Sequence, residues 1–261
     1  MGMFVSVPVS RLTEEPYASL ICYPKATSDE IQARMRELAA LNIEEVEFSG
    51  SMRMSSLHIV GKGHTAVVVK ARTPQGTYAL KIRRIDAVCG TLRYEAAMLA
   101  EANKADIGPK LIASSNDLIL MELIEGIPIE EWLSVRKEKG EVQAVLRRIM
   151  EQCRRLDNIG LDHGELRRAP KHILIDENGE PSIVDFENAS INRNASNVNL
   201  VCQFLFIGNS DARKMLNSII GERGPEFRDA LTHYRKDPDG GSFDELAEVC
   251  LRDNSLLRSE N

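Results

Sequence analysis

The sequence predicts an α+β fold with a β-rich first half and a mostly α second half. Three observations carry this. Short runs rich in β-branched residues, punctuated by glycine turns, crowd the stretch from Val46 to Ile82; helical periodicity dominates after Gly126; and a single tight hairpin interrupts the helical half near residues 173–184.

The elements follow in order. In SDEIQARMRELAALN, starting at Ser28, the residues Ile31, Met35, Leu38 and Leu41 recur at helical spacing, with Ser28 as the cap and Glu30 in the first turn. Strands are expected at Val46–Phe48, Ser56–Val60, Ala66–Ala71 and Thr77–Ile82, separated by Ser-Gly, Gly-Lys-Gly and Pro-Gln-Gly turns, which makes an antiparallel sheet. An Ala- and Leu-rich helix spans Leu92 to Lys104, and Leu111–Ala113 with Leu118–Leu123 form a further strand pair. Helices follow at Ile129–Lys137, Val142–Ile159 and Asn199–Phe206, and a Gly- and Pro-interrupted helical stretch runs from Ala212 to Leu257. Ile173–Ile175 and Ser182–Val184 are joined by Glu177-Asn178-Gly179, where Asn and Gly tolerate the positive φ of a tight turn. The expected division is an extension with one amphipathic helix over 1–50, a β-rich lobe over 51–125 and an α-rich lobe over 126–261, hinged at Ile124-Glu125-Gly126.

Composition narrows the function classes. With 261 residues the chain has room for one two-lobed domain or two small ones. A net charge of −6 argues against a broad nucleic-acid or membrane surface and against nucleic acid as the main ligand. The cysteines Cys22, Cys89, Cys153, Cys202 and Cys250 are widely spaced with no CxxC pair, and no secretory segment is evident, so a reducing, cytoplasmic location is expected, without structural zinc or a disulfide framework. No apolar run approaches the ~20 residues needed to cross a bilayer. Met1-Gly2 with Ser6 matches the loose myristoylation pattern, which is short enough to recur by chance.

Several motifs carry chemistry. Val60-Gly61-Lys62-Gly63-His64-Thr65-Ala66-Val67-Val68 lies between two expected strands, where small residues let backbone N–H groups approach a phosphate; alone, such a turn is an ordinary hairpin. Lys81 stands in the strand Tyr78-Ala79-Leu80-Lys81-Ile82 with apolar flanks, either facing a cleft or snorkelling from an edge. The next helix offers Glu95 as its ion-pair partner, with Glu101 as the alternative. The apolar strand from Leu118 ends at Glu122-Leu123-Ile124-Glu125-Gly126. Finally, LDHGELRRAPKHILIDENGEPSIVDFEN, Leu161 to Asn188, sets His163, Glu165 and Arg167 before the hairpin and Asp185 after it.

In that order over Gly61 to Glu187 the set resembles the protein-kinase fold, close in character to the small RIO-type kinases and, through His163-Gly164-Glu165-Leu166, to aminoglycoside phosphotransferases. The resemblance implies a two-lobed, ATP-dependent phosphotransferase, most readily a Ser/Thr protein kinase. A small-molecule kinase and a nucleotide-binding switch or weak ATPase are the alternatives. It implies that Gly61, Lys62, Gly63, Ala66 and Val68 cover the ATP phosphates, that Lys81 holds them with Glu95 behind it, and that Met121 is a gatekeeper beside an adenine edge read by Glu122 to Ile124. Glu165 would orient the accepting hydroxyl, Arg167 would contact phosphate, and Asp185 would bind Mg²⁺ or Mn²⁺ with His172 as a second ligand. The acceptor would be a protein or small-molecule hydroxyl. The chain departs from the family pattern at Ala66 in place of the third glycine, at Glu165 in place of the catalytic Asp and at Glu187 in place of the glycine after Asp-Phe. Its catalytic loop also appears two residues longer, so that Pro170 stands five residues after Glu165 and His172 takes the place before the apolar run where the family has Asn. No Ala-Pro-Glu sequence follows, and the segment after Asp185 is too short for a long activation loop.

Overall fold

The computed structural model describes residues 5–255; Met1-Gly2 of the myristoylation pattern and Leu257 of the last expected helix lie outside the described residues. The chain divides into two compact units, one of Met1–Ala100 and Pro109–Leu123, the other of Glu101–Gly108 and Ile124–Asn261.

The first unit is built on an antiparallel sheet of strands β1 (Val5–Pro8), β2 (Glu45–Phe48), β5 (Gly61–Lys62), β6 (Ala66–Thr73), β7 (Gly76–Arg83), β8 (Leu111–Ser114) and β9 (Leu118–Met121), ordered β1-β2-β6-β7-β9-β8 with β5 also on β6. A separate hairpin pairs β3 (Met52–Met54) with β4 (Leu57–Ile59). The centre of the sheet is apolar on its buried face, through Val67 and Val69 of β6, Leu80 and Ile82 of β7 and Leu118 and Leu120 of β9. Its helices are α1 (Tyr17–Ile21), α2 (Ser28–Ala40) and α3 (Arg93–Asn103), the last of which runs on past Ala100 into the second unit.

Two sequence expectations change here. Residues 5–50 of the expected 1–50 extension are not an appendage: β1 pairs with β2, β2 pairs with β6 (Val46 opposite Ala71), and Val7, Leu12, Leu20, Ile21, Leu38, Val46 and Phe48 lie in the same buried cluster as the central strands. Burying Val46 and Phe48 requires β2 to lie on the sheet, and that carries the whole segment into the core. The cap of α2 is Thr27 rather than Ser28, because only Thr27 stands three residues before Glu30. Its side chain accepts from the Glu30 amide at 3.3 Å, and Glu30 Oε2 accepts from the Thr27 amide at 2.9 Å.

Helix α2 also buries a charge. Arg34 is 2% exposed, and its guanidinium donates to the carbonyls of Ile21 (3.1 Å), Asp117 (3.2 Å) and Arg83 (3.0 Å) while standing 3.4 Å from the Asp117 carboxylate. Each edge of the planar fork has a partner, which is the condition for burying it without a large desolvation penalty.

The second unit surrounds a small sheet of β10 (Ile127–Pro128), β11 (Ile173–Ile175) and β12 (Pro181–Ile183), in which Ile173 pairs with Ile183 and Ile127 with Ile175. Its helices are α4 (Ile129–Val135), α5 (Lys139–Asn158), α6 (Asn197–Cys202), α7 (Asp211–Ile220), α8 (Pro225–Lys236) and α9 (Gly240–Leu251), with a π-helical turn, Gln203–Ile207, directly after α6. Along α5, Val142, Val145, Leu146, Ile149, Met150, Cys153 and Leu156 form one buried stripe. The final helical stretch breaks where its sequence carries breakers: Gly221 after α7, Pro225 at the start of α8 and Asp239 capping α9. Arg223 links the ends of two helices by donating to the carbonyls of Ile220 (2.6 Å) and Gly221 (2.8 Å) beyond α7 and of Cys250 (2.6 Å) and Arg252 (2.7 Å) at α9. No helix among the described residues is long and apolar enough to cross a membrane.

Candidate functional site

The motif residues form one group in each unit. In the first unit, β5 and β6 fold back through residues 63–65: Gly61 pairs with Val68, Lys62 with Val67, and the Gly63 amide donates to the Ala66 carbonyl at 2.8 Å. A Cβ on Gly61 would meet nothing within 4 Å, and on Gly63 only the Ala66 carbonyl oxygen at 3.8 Å. The fold therefore does not need glycine at either position. What the two glycines provide is bare backbone facing open space. Ala66, in the third-glycine position, is 1% exposed, so its methyl points into the core rather than out of the turn.

Strand register sets Lys81 between Val68 of β6 and Ile119 of β9. Its Nζ donates to Glu95 Oε1 at 2.6 Å, and each side chain is 8% exposed. Glu101, the alternative partner, pairs instead with Lys104 at 2.6 Å on the surface, because only the first turn of α3 carries its carboxylate to the sheet. At the end of β9, half-buried Met121 sits opposite Ala79. The Glu122 amide donates to the Lys110 carbonyl at 2.9 Å, and its carboxylate accepts from the Lys110 amide at 3.1 Å. Of the backbone groups from Glu122 to Ile124 expected to read the adenine edge, the Glu122 N–H is thus already committed to Lys110, while Ile124 begins the second unit.

In the second unit, residues 161–164 are held as a rigid loop. Asp162 and Ser190 form a two-way backbone bridge (3.0 and 2.8 Å), and Asn197, fully buried at the start of α6, accepts from the His163 amide (2.9 Å) while donating to the Leu161 carbonyl (2.8 Å) and the Asp157 carboxylate (2.7 Å). Burial raises the Asp157 pKa, and its bonds from the Asn197 and Val198 amides oppose that shift. Gly164 has φ +87°, and a Cβ there would lie 2.5 Å from the Asn188 carbonyl oxygen, so this glycine is required by the close approach of the 188 segment.

His163 is completely buried. Its Nε2 lies 3.2 Å from the Val184 carbonyl, and its ring stands edge-on to Phe186 with centroids 5.0 Å apart. Burial, followed by the nearby His172, lowers its pKa to about 4, so near neutrality it is uncharged. Since the Val184 carbonyl only accepts, the proton is assigned to Nε2.

Beyond this support, Glu165, His172 and Asp185 converge: one donor atom from each lies within 4.8 Å of the others. Glu165 precedes the 3₁₀ turn Leu166–Arg168, His172 precedes β11, and Asp185 follows β12, so the hairpin brings both of its flanks to one place. His172 Nδ1 stands 3.4 Å from Glu165 Oε2, yet this buried nitrogen makes no hydrogen bond. Asp185 has φ +72°, a left-handed conformation uncommon for a side chain other than glycine. Two carboxylates and an imidazole nitrogen without a hydrogen bond fit a divalent cation. The carboxylates suit Mg²⁺, and the nitrogen makes Mn²⁺ the better match. Arg167, Arg168 and Lys171 are exposed on the same loop and form no ion pair with any described residue. Glu187 is half-buried two residues beyond Asp185.

Sequence reasoning missed Asn197 and Asp157 and quoted Gly164 only as part of a motif, without its backbone role; all three shape the loop. The available signals were an Asn ahead of the apolar Val-Asn-Leu-Val run and a Gly inside a charged loop.

The structure is an α+β arrangement: a β-sheet unit with a glycine turn and a buried Lys–Glu pair, followed in the chain by a helical unit with an embedded hairpin between Glu165 and Asp185. No protein-family model and no curated protein matches the chain. Among solved structures it is similar to the Rio2 kinase in its ADP/Mg²⁺–phosphoaspartate complex from Chaetomium thermophilum, with 19% identity, 85% of this chain and 74% of that chain covered, and a TM-score of 0.47.

Proposed function

We propose that the protein is an ATP-dependent phosphotransferase that moves the γ-phosphoryl group to a hydroxyl, with a protein Ser or Thr as the favoured acceptor. The observation that carries this reading is the buried Lys81–Glu95 pair at 2.6 Å. A buried ion pair is commonly no more stabilising than apolar residues of the same volume, so fold stability gives little reason to keep one. A lysine held rigid on a strand beside an open glycine turn has a use in binding phosphate oxygens. Lys81 binds the α- and β-phosphates, with Glu95 fixing its ammonium, and the open turn between Gly61 and Ala66, with no side chain on its glycines in the way, receives the triphosphate.

In the second unit Asp185 and His172 would hold a metal ion, which would supply positive charge to offset that of the phosphate oxygens. Glu165 accepts a hydrogen bond from the attacking hydroxyl and takes its proton as the phosphoryl group departs. Arg167 contacts the transferring phosphate from the same loop. Glu reaches one methylene further than Asp; the longer loop between Glu165 and β11 offsets that reach, since displacements of ~1 Å can cost ~10²-fold in rate.

A small-molecule kinase is the second reading, favoured by the short path from Asp185 to α6, which leaves no long loop to shape a peptide. The test is transfer of labelled γ-phosphate in Mg²⁺ or Mn²⁺ to the protein itself, to generic protein acceptors and to a panel of hydroxylated metabolites, using wild type, Lys81→Met, Glu165→Ala and Asp185→Ala. Label on Ser or Thr that disappears in all three variants supports the first reading, and label on a metabolite alone supports the second. ATP-dependent thermal stabilisation without any phosphorylated product would leave only a nucleotide-binding switch.

A further inference from the structure

Tyr23 lies between α1 and α2, far in sequence from every residue assigned above, yet it grips the glycine turn. Its hydroxyl accepts a hydrogen bond from Lys62 Nζ at 2.8 Å, and the same ammonium stands 4.2 Å from its ring centroid. The Arg84 guanidinium lies 5.0 Å from that centroid on the same ring. Arg84 continues the grip: it donates to the Gly63 carbonyl at 3.0 Å, its amide donates to the Thr65 carbonyl at 2.7 Å, and Asp86 fixes its other edge at 2.9 and 2.7 Å. The Tyr23 carbonyl closes the arrangement by accepting from the Ile85 amide at 2.8 Å. One aromatic ring is thus the shared contact of two cations that restrain residues 62–65.

We propose that Tyr23 is a positioning residue for nucleotide binding, holding the glycine turn in its phosphate-receiving conformation through Lys62 and Arg84. Exposed Gly63, with a half-buried Gly61 just before the turn, gives this segment no side chains of its own to pack, and a turn that must be ordered by its ligand weakens binding by that cost. The clamp removes the cost in advance. It also gives the N-terminal segment a role in binding beyond completing the sheet. The inference rests on the ATP-binding reading.

The test uses the full chain and titrates ATP with Mg²⁺ calorimetrically against wild type, Tyr23→Phe, Lys62→Met and the double variant. Tyr23→Phe keeps the ring and its packing and removes only the hydroxyl, so a purely structural tyrosine would tolerate it. The expected result is a rise in Kd of about three-fold with melting temperature and kcat at saturating ATP unchanged, the size expected for one partly exposed charged hydrogen bond. In the Lys62→Met background the same change should have no further effect, because the partner is already gone. Wild type that binds ATP while Tyr23→Phe binds equally well overturns the inference alone, as does full additivity of the two substitutions. Wild type that binds no ATP overturns the proposed function and this inference with it, and that outcome is read before any variant is made.

Discussion

Lys81 on β7 and Glu95 on α3 meet at 2.6 Å with both side chains almost fully removed from solvent. Each charge is a close counter-charge to the other, so loss of one partner and loss of both have different consequences. Glu95→Ala removes this counter-charge from a buried ammonium and should cost up to roughly 3–5 kcal/mol. Lys81→Met with Glu95→Leu replaces the pair by apolar volume and should restore most of that stability in urea unfolding, while ATP binding stays lost. Restored binding in the double variant would remove Lys81 from the nucleotide site.

Asp185 combines a left-handed backbone with a proposed ligand role. Its φ of +72° is one that glycine adopts freely. Asp185→Gly should therefore relieve up to about 1 kcal/mol of backbone strain, offsetting what the lost carboxylate contributes to the fold, while phosphoryl transfer falls at least about 10²-fold. Thermal melts beside a labelled-ATP assay separate the two effects. A marked loss of stability would mean that the carboxylate supports the fold rather than a metal ion.

His163 makes stability depend on pH. Its folded-state pKa is lowered from 6.5 to about 4, so the unfolded chain takes up the proton more readily. The sign follows: the contribution is present in full above pH 6.5 and is lost as pH falls toward 4, amounting to about 3 kcal/mol at that end. Denaturant unfolding of wild type at pH 7.5, 5.5 and 4.5 should show this decline. A His163→Gln variant, less stable at neutral pH, should lose less stability over this range, by roughly 2–3 kcal/mol. Equal slopes would mean that His163 is solvated in the native state.

The loop that holds His163 should be sensitive to Asn197. Asn197→Ala removes three hydrogen bonds at once and leaves the buried Asp157 carboxylate with fewer donors, so a loss of roughly 2–4 kcal/mol is expected. Asn197→Asp keeps the volume but places a second carboxyl beside Asp157, and should be no better at neutral pH. Recovery of stability in Asn197→Asp would show that shape alone matters there.

What could be read in the sequence was local. Helical and alternating periodicity located α2, α5, β6 and β7 to within a few residues, and the order of Gly61, Lys81, Glu95, Glu165 and Asp185 singled out members of the candidate group in each unit. What could not be read depended on partners remote in sequence. Val5–Pro8 is too short to register as a strand until β2 is known to sit beside it, so residues 1–50 looked like an appendage. Arg34 looks like a surface residue of an amphipathic helix, and only the convergence of the Ile21, Arg83 and Asp117 carbonyls shows why it is buried. Asn197 and Tyr23 act through the backbone or side chains of segments dozens of residues away, and no periodicity encodes that.

The most discriminating prediction concerns His172, whose Nδ1 is buried without a hydrogen bond beside Glu165 and Asp185. An imidazole ligand binds Mn²⁺ more readily than Mg²⁺, which prefers oxygen. Wild type should accordingly bind Mn²⁺ more tightly than Mg²⁺, and its transfer rate should be higher in Mn²⁺. His172→Asn substitutes an oxygen donor with a shorter reach and should lower the Mn²⁺ affinity by about ten-fold while changing Mg²⁺ affinity little. The measurement is Mn²⁺ binding followed by electron paramagnetic resonance, with Mg²⁺ as competitor, in both proteins. It reports on the metal independently of activity. Equal Mn²⁺ affinity in the two would mean that His172 packs against His163, whose ring centroid is 5.7 Å away, and binds no metal. The cation would then be left to Asp185.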